Sequence, residues 1–401
     1  MHRESTVTLR KSIPSRSPDC CTYNRRYPFL SVSHYPHPLP RAQARPSIPF
    51  TMHIFHFLSF PLLSFAALPH RGVDWSSTLV SESSGTTYTG LDARSKPLER
   101  IFRNNGVNTV RQRIWVDPKN GDYDVEYNVA LAQRAKAVGL DVYLDFHYSS
   151  TWADPGHQTT PDAWSGLGLD ALAEKVQTYT RETLDAFATA GISPTLVSIG
   201  NEITAGMLWP LGAVDSSNNF QPVATLLHAA SAGVRNSSLS PQPQIMLHLD
   251  NGWKQETQEW WYDGLLSAGP FSSSDFDVQG VSFYPFYSPS ATLSALQSSL
   301  GAMKAKYNKS VLVAETNWPT SCPDPAYAFP ADVQDIPFSS AGQREYVKRV
   351  AGAVEAAGGV GLFYWEPAWT GNGALGSSCE SNLMFSWEGE AQGSVRVFGQ
   401  I

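Results

Sequence analysis

The chain has 401 residues, 12 Trp, 16 Tyr and 19 Phe, only 16% charged residues, and a formal net charge of −7. It is long enough to bury a large core, as one large domain or two ordinary ones. Residues 1–51 carry eight Lys/Arg against Glu4 and Asp19, a net +6, so the remainder carries −13. An acidic body lacks the clustered cations that a phosphate backbone requires, which argues against nucleic acid as a partner and leaves neutral ligands open.

Residues 1–51 are rich in Pro, Ser and Arg, show no apolar period and are expected to form a basic, disordered leader. At Met52 the character changes to MHIFHFLSFPLLSFAALPHRG, an apolar run that reaches small residues at Ala66 and Ala67. Residues 52–66 resemble a signal peptide. The run is too short for a spanning helix, and Pro61 weakens it further. Signal cores sit near a chain start, so Met52 is expected to be the true start, with 1–51 arising from a misplaced upstream one. A genuine basic leader or a membrane anchor is the alternative. The expected mature protein is secreted and free of the membrane.

Outside the leader, which holds Cys20 and Cys21, only Cys322 and Cys379 remain. Their spacing does not fit a zinc site, and a pair in an exported chain predicts a disulfide between two late loops. Asn236-Ser-Ser and Asn308-Lys-Ser are glycosylation sequons and should be exposed.

From Arg71 onward, strand-like runs occur at 71–76, 109–115, 140–148, 195–202, 244–251, 278–285, 310–316 and 359–367. One-sided helical patterns lie between them, such as Leu172, Val176, Tyr179, Thr183 and Ala186, or Leu293, Leu296, Leu300, Met303 and Tyr307. Gly106, Gly139, Gly191 and Gly358 stand where helices would close before the next strand. Eight strand–helix repeats predict an α/β fold, a (β/α)₈ TIM barrel forming a single domain over 67–401. A doubly wound open sheet is the alternative. Gly371-Asn-Gly-Ala-Leu-Gly376 spells G-x-G-x-x-G, but too little chain follows for another βαβ unit, so no nucleotide site is expected there.

In such a barrel the C-terminal strand ends share one cleft. Those ends carry Arg111, Arg113 and Trp115; Asp145 and His147; Asn201 and Glu202; His248, Asp250 and Trp253; Tyr284; Glu315 and Trp318; Glu366, Trp365 and Trp369. A lone strand-end Glu is usually a solvated or salt-bridged carboxylate. Glu202 and Glu315 at matching places on strands 4 and 7, among aromatic rings that stack on sugars, instead match the two carboxyls of glycosidic bond hydrolysis. One must hold a proton for the leaving oxygen while the other is ionised to attack. Arg111 is placed to keep Glu315 ionised. Any single Trp here is equally a core or lid residue. No G-x-S-x-G elbow and no H-E-x-x-H occurs. A metal cluster of His147, His157, Asp145 and Asp154 is the weaker reading of that loop.

The stretches RGVDWSS, GVNTVRQRIWV, DFHYSSTWADPGHQ, VSIGNEITAG, MLHLDNGW, GVSFYPFY, AETNWPTSCP and GLFYWEPAW span all eight strands. Through them the chain from about Arg71 to Ile401 resembles the fungal endo-β-1,4-galactanases of glycoside hydrolase family 53. The resemblance implies a retaining (β/α)₈ enzyme acting on β-1,4-galactan, the arabinogalactan side chains of pectin. It implies Glu202 as acid/base, Glu315 as nucleophile and Asn201 on the sugar 2-hydroxyl, with Arg111, His147, Tyr284 and Trp365 lining the same subsite. Trp115, Asp250, Trp253 and Trp318 are further expected substrate contacts. Some bacterial relatives carry calcium in a late loop. Here Cys322 to Pro337 looks like the fungal version with a disulfide, so no metal or cofactor is expected, and the protein should be a monomer. Another β-glycanase and a non-catalytic polysaccharide-binding barrel remain as alternatives.

Overall fold

The computed structural model describes residues 67–214 and 216–401; the leader and signal-peptide expectations for 1–51 and 52–66 lie outside them. In chain order the elements are β1 (His70–Asp74), α1 (Thr78–Ser83), α2 (Leu98–Asn104), β2 (Thr109–Ile114), α3 (Val125–Ala137), β3 (Asp141–Phe146), α4 (Leu169–Thr189), β4 (Leu196–Ile199), α5 (Gln221–Arg235), β5 (Gln244–Leu249), α6 (Gln255–Ala268), β6 (Val278–Ser282), α7 (Leu293–Tyr307), β7 (Ser310–Thr316), α8 (Ser340–Ala356) and β8 (Gly361–Tyr364). The strands are all parallel and pair in sequence order. β8 closes on β1 through His70 opposite Gly361. This is the expected (β/α)₈ barrel.

Local chemistry sets the boundaries. Asp124, Thr292 and Ser339 cap α3, α7 and α8 by accepting from the backbone N–H of Tyr127, Ala295 and Gly342. The four glycines read as helix closers all have positive φ, from +69° at Gly191 and Gly358 to +97° at Gly106. After β8 the chain ends in a 3₁₀ turn, Gly393–Gly399, which packs on α8 and buries Val395, Val397 and Phe398.

Side-chain alternation divides the sheet into two apolar layers. Outward residues such as Val110, Leu144, Val197, Ile245 and Val313 belong to the layer shared with the helices. Inward residues Tyr143, Leu196, Met246, Val278, Leu312 and Phe363 fill the barrel floor. The floor is close-packed: a Cβ on Gly72 would lie 2.1 Å from the Phe363 ring. Two residues further along their strands, the inward side chains turn polar at Asp145, Ser198 and His248, all fully buried. The floor is thus apolar and the C-terminal mouth polar.

β7 breaks the alternation. Leu312 and Ala314 face inward and Val311 and Val313 outward, so strict alternation would send Glu315 outward. The pairing instead slips between Val281/Val313 and Ser282/Glu315. This bulge turns Glu315 into the barrel. Thr316 then faces outward, where its hydroxyl meets the Phe283 carbonyl at 2.6 Å and the Tyr346 hydroxyl of α8 at 2.7 Å.

Two glycine substitutions test this packing. Gly72→Val should lower stability by at least about 1–3 kcal/mol by overpacking Phe363. Gly301→Ala, inside α7 with nothing within 4 Å of its Cβ, should raise it by up to about 1 kcal/mol through helix propensity. Urea denaturation midpoints of the two variants would check both signs.

Candidate active site

A cavity of about 530 Å³ opens at the C-terminal ends of the strands. Of the expected site residues, Arg111, His147, Asn201, Glu202, Asp250, Trp253, Tyr284, Glu315 and Trp365 line it. The chain delivers the two glutamates by local irregularities. After β4, Gly200 takes φ +120° and Glu202 itself φ +49°, a left-handed turn that presents both Asn201 and Glu202 to the cleft. Glu315 arrives through the β7 bulge.

The surroundings of the two carboxyls differ. One Glu315 oxygen lies 2.8 Å from the Arg111 guanidinium, and the other accepts from the Tyr284 hydroxyl at 2.7 Å. Burial raises the Glu315 pKa, while Arg111 and Tyr284 counter it, and the group sits at about 6. Glu202 is pushed well above its ordinary value of 4.5, first by removal from water and then by the negative charges of Glu315 and Asp250; the Ser282 hydroxyl and Arg111 pull weakly the other way. Of the pair, Glu315 therefore ionises first and Glu202 keeps the proton. The order follows from position: Glu315 has the cation, Glu202 has Glu315.

Arg111 is 1% exposed and holds more than the nucleophile. Its guanidinium reaches Asp74 at 2.6 Å, Asp145 at 2.8 Å and the Asn201 side-chain oxygen at 2.7 Å. Asp145 would resist ionisation by burial alone, but Arg111 and His147 outweigh that and hold it at about 2. His147 Nε2 lies 3.2 Å from Asp145, while its Nδ1 accepts from the Trp115 indole at 3.2 Å and the Ala153 backbone at 3.1 Å. Two donors at Nδ1 place the single proton on Nε2, and burial lowers the imidazole pKa and favours the neutral ring.

Residues 70–398 match Glycosyl hydrolase family 53. The chain belongs to this family. It is 56% identical over 336 residues, covering 84% of this chain and 100% of the other, to an arabinogalactan endo-beta-1,4-galactanase of Humicola insolens, and 55% identical with the same coverage to its Thermothelomyces thermophilus counterpart. Among solved structures, a fungal beta-1,4-galactanase at 54% identity superposes with a TM-score of 0.81, covering 84% of this chain and 100% of that one. The family 53 catalytic domain of Ignisphaera aggregans does so at 30% identity and 0.73, covering 84% and 98%.

Two expected contacts sit elsewhere in this family 53 barrel. Trp318 is fully buried. Its ring stacks on Tyr346 at 4.8 Å and its indole N–H donates to the Pro337 carbonyl at 3.1 Å, so both its apolar face and its polar atom are satisfied in the core. Trp115 does not line the cleft either; it stands behind His147, half-buried. The Cys322–Cys379 disulfide is formed, and Asn236 and Asn308 are both exposed. Of the four residues weighed as a metal cluster, His147 pairs with Asp145, while His157 pairs with Asp154 in an exposed turn. No cluster of three or more metal-ligating side chains occurs among the described residues.

The cleft also uses residues that strand-end reading passed over. Trp152, on the loop after β3, stacks on Trp369 with centroids 6.1 Å apart and meets Trp365 edge-on at 6.2 Å. The Arg113 guanidinium lies 4.4 Å from the Trp152 ring and 4.3 Å from that of Tyr123. Arg113 is fixed in turn by Glu366 at 2.6 Å. Ser282 lies between His248 Nε2, 2.9 Å away, and Glu202. The loop motif TWADPGHQ contained the signal for Trp152, but nothing in its spacing says which loop aromatic turns into a cleft.

Raised carboxyl pKa values have a thermodynamic consequence. Glu202 binds its proton more tightly in the folded state, so its contribution to stability is full below the unfolded value and is lost as pH rises through the folded one. Glu202→Gln removes that dependence. Its Tm relative to the parent should rise as pH increases above the ordinary value of 4.5, by roughly 1–2 °C per kcal/mol regained. A Tm offset independent of pH, measured by scanning calorimetry, would contradict the assignment.

Proposed function

We propose that the protein is a secreted endo-β-1,4-galactanase that cuts within the galactan side chains of pectin, with retention at the anomeric carbon. The observation carrying this reading is the pair Glu202 and Glu315, differently tuned, facing one aromatic cleft in a family 53 barrel. The named activity of the relatives supports the choice of β-1,4-galactan. The disulfide and the two exposed sequons support an extracellular, glycosylated product.

In the proposed sequence, Glu315 attacks the anomeric carbon, and Glu202 gives its proton to the leaving oxygen. The bond from carbon to the leaving sugar breaks as the ester to Glu315 forms. Glu202, now ionised, takes a proton from water, which attacks the same carbon and frees Glu315. Arg111 and Tyr284 steady Glu315 as its charge is lost and regained. Asn201 accepts from Arg111 and donates one N–H to the Ala153 carbonyl at 2.8 Å, which leaves its second N–H for the 2-hydroxyl. Trp365 offers the flat face against which the ring rests.

Reducing-end release from linear β-1,4-galactan, compared with xylan, mannan, cellulose and β-1,3-galactan, tests the substrate; activity confined to another glycan would overturn it. Glu315→Ala should abolish turnover. Glu202→Ala should lose about 10²–10⁴-fold on galactan and far less on aryl glycosides with good leaving groups. Time-resolved NMR of the first product should show the β-anomer. An α-anomer would exclude retention and imply carboxyl groups farther apart than the roughly 5–5.5 Å that retention requires.

A further inference from the structure

A second cavity of about 410 Å³ lies beside the cleft, between the loop after β2 and the loop after β3. One loop serves both spaces: Ser149, Ser150 and Thr151 line the second cavity, and Trp152 and Ala153 line the cleft. The partition is the edge-on pair Trp115 and Trp152, with centroids 5.5 Å apart. Trp115, absent from the cleft, lines the second cavity.

The wall has the composition of a sugar site. Trp115 supplies an aromatic surface whose N–H is already committed to His147, so apolar ring is what it has left to offer. Ser150 is half-buried and Thr151 exposed, and both line the cavity; a hydroxyl rotor serves a ligand's hydroxyl as donor or acceptor. Asn120 and Asp122 add polar ends on the opposite loop. Lys119 against Asp122 and Asp162 makes no anion site, which leaves a neutral polyhydroxylated ligand.

We propose that this cavity is a second saccharide site, taking a neutral glycosyl unit through the Trp115 ring and the polar side chains of Asn120, Asp122, Ser150 and Thr151. The inference rests on the galactanase reading for the identity of the sugar. The unit belongs either to the chain in the cleft, as a branch or a further backbone sugar, or to a separate chain.

The test uses the full chain carrying Glu315→Gln, which binds without turnover, and titrates it calorimetrically with linear β-1,4-galacto-oligosaccharides of increasing length and with arabinose-branched ones. The comparison adds Ser150→Trp, which fills the cavity, and separately Asn120→Ala with Asp122→Ala, whose exposed or half-exposed side chains make no hydrogen bond that folding depends on. The filled variant should bind cavity-reaching ligands about tenfold more weakly, and the double variant about threefold. Both should bind galactobiose as the parent does, and both, with Glu315 restored, should cleave short aryl β-galactosides at the parent rate. A loss confined to branched ligands identifies a branch site. A loss only with longer linear ligands identifies a backbone subsite. Loss of a second binding equivalent identifies a separate chain. Unchanged affinity and stoichiometry for every ligand in both variants would overturn the proposal. If the parent binds another β-glycan and not galactan, the galactan reading fails instead, and the same comparison with that glycan still decides the cavity.

Discussion

Arg111 stands fully buried at the mouth of the barrel with Asp74 from β1, Asp145 from β3, Asn201 from the end of β4 and Glu315 from β7 around one guanidinium, every contact between 2.6 and 2.8 Å. Three carboxylates gathered out of water would each be costly to ionise without it, and removal of one partner from such a cluster typically costs about 3–5 kcal/mol. A planar, permanently charged fork is the group that can satisfy several acceptors at once. Burial lifts Glu315, and Arg111, shared with Asp74 and Asp145, only partly offsets it, so the group sits at about 6. Because the cation touches Glu315 and not Glu202, the two carboxyls separate. The chemical asymmetry of the site descends from this one placement.

Asp74 extends the same constraint sideways. Its second oxygen lies 3.7 Å from Arg113, which is held by Glu366 and sandwiched between Trp152 and Tyr123. The aromatic wall of the cleft and its acid–base machinery are therefore anchored to one buried ionic network. Glu366, caged by Ser77 and Arg113, is still lifted to about 7 by burial and the nearby Asp74. The site carries more acidic groups than its two arginines can pair, and burial holds the excess toward the protonated form, Glu202 well above its ordinary value and Glu366 at about 7.

The loop after β3 does two tasks. Its backbone fixes His147 through the Ala153 N–H, and its side chains divide the cleft from the neighbouring cavity. A barrel with rigid strands can vary such loops without moving the carboxyls, since these are held by strand ends rather than by the loop itself.

The sequence by itself determined the barrel. Eight short apolar runs, one-sided helices between them and glycines at φ-positive closures leave little other architecture, because each of those signals is local. It also determined that Glu202 and Glu315 lie at strand ends, and which two cysteines could pair. It could not decide where a side chain points once the alternation is broken. Counted strictly along β7, Glu315 falls on the outer face, and only the slipped pairing with β6 turns it inward. Trp318, three residues later, reads as a cleft platform but finds its stacking partner and its hydrogen bond in the core. Trp152, in a loop without any period, becomes part of the cleft because Arg113, Trp365 and Trp369 converge on it from other strands. Those outcomes, and the pKa order of the two glutamates, depend on which groups meet across the barrel, and such contacts exist only once the sheet has closed.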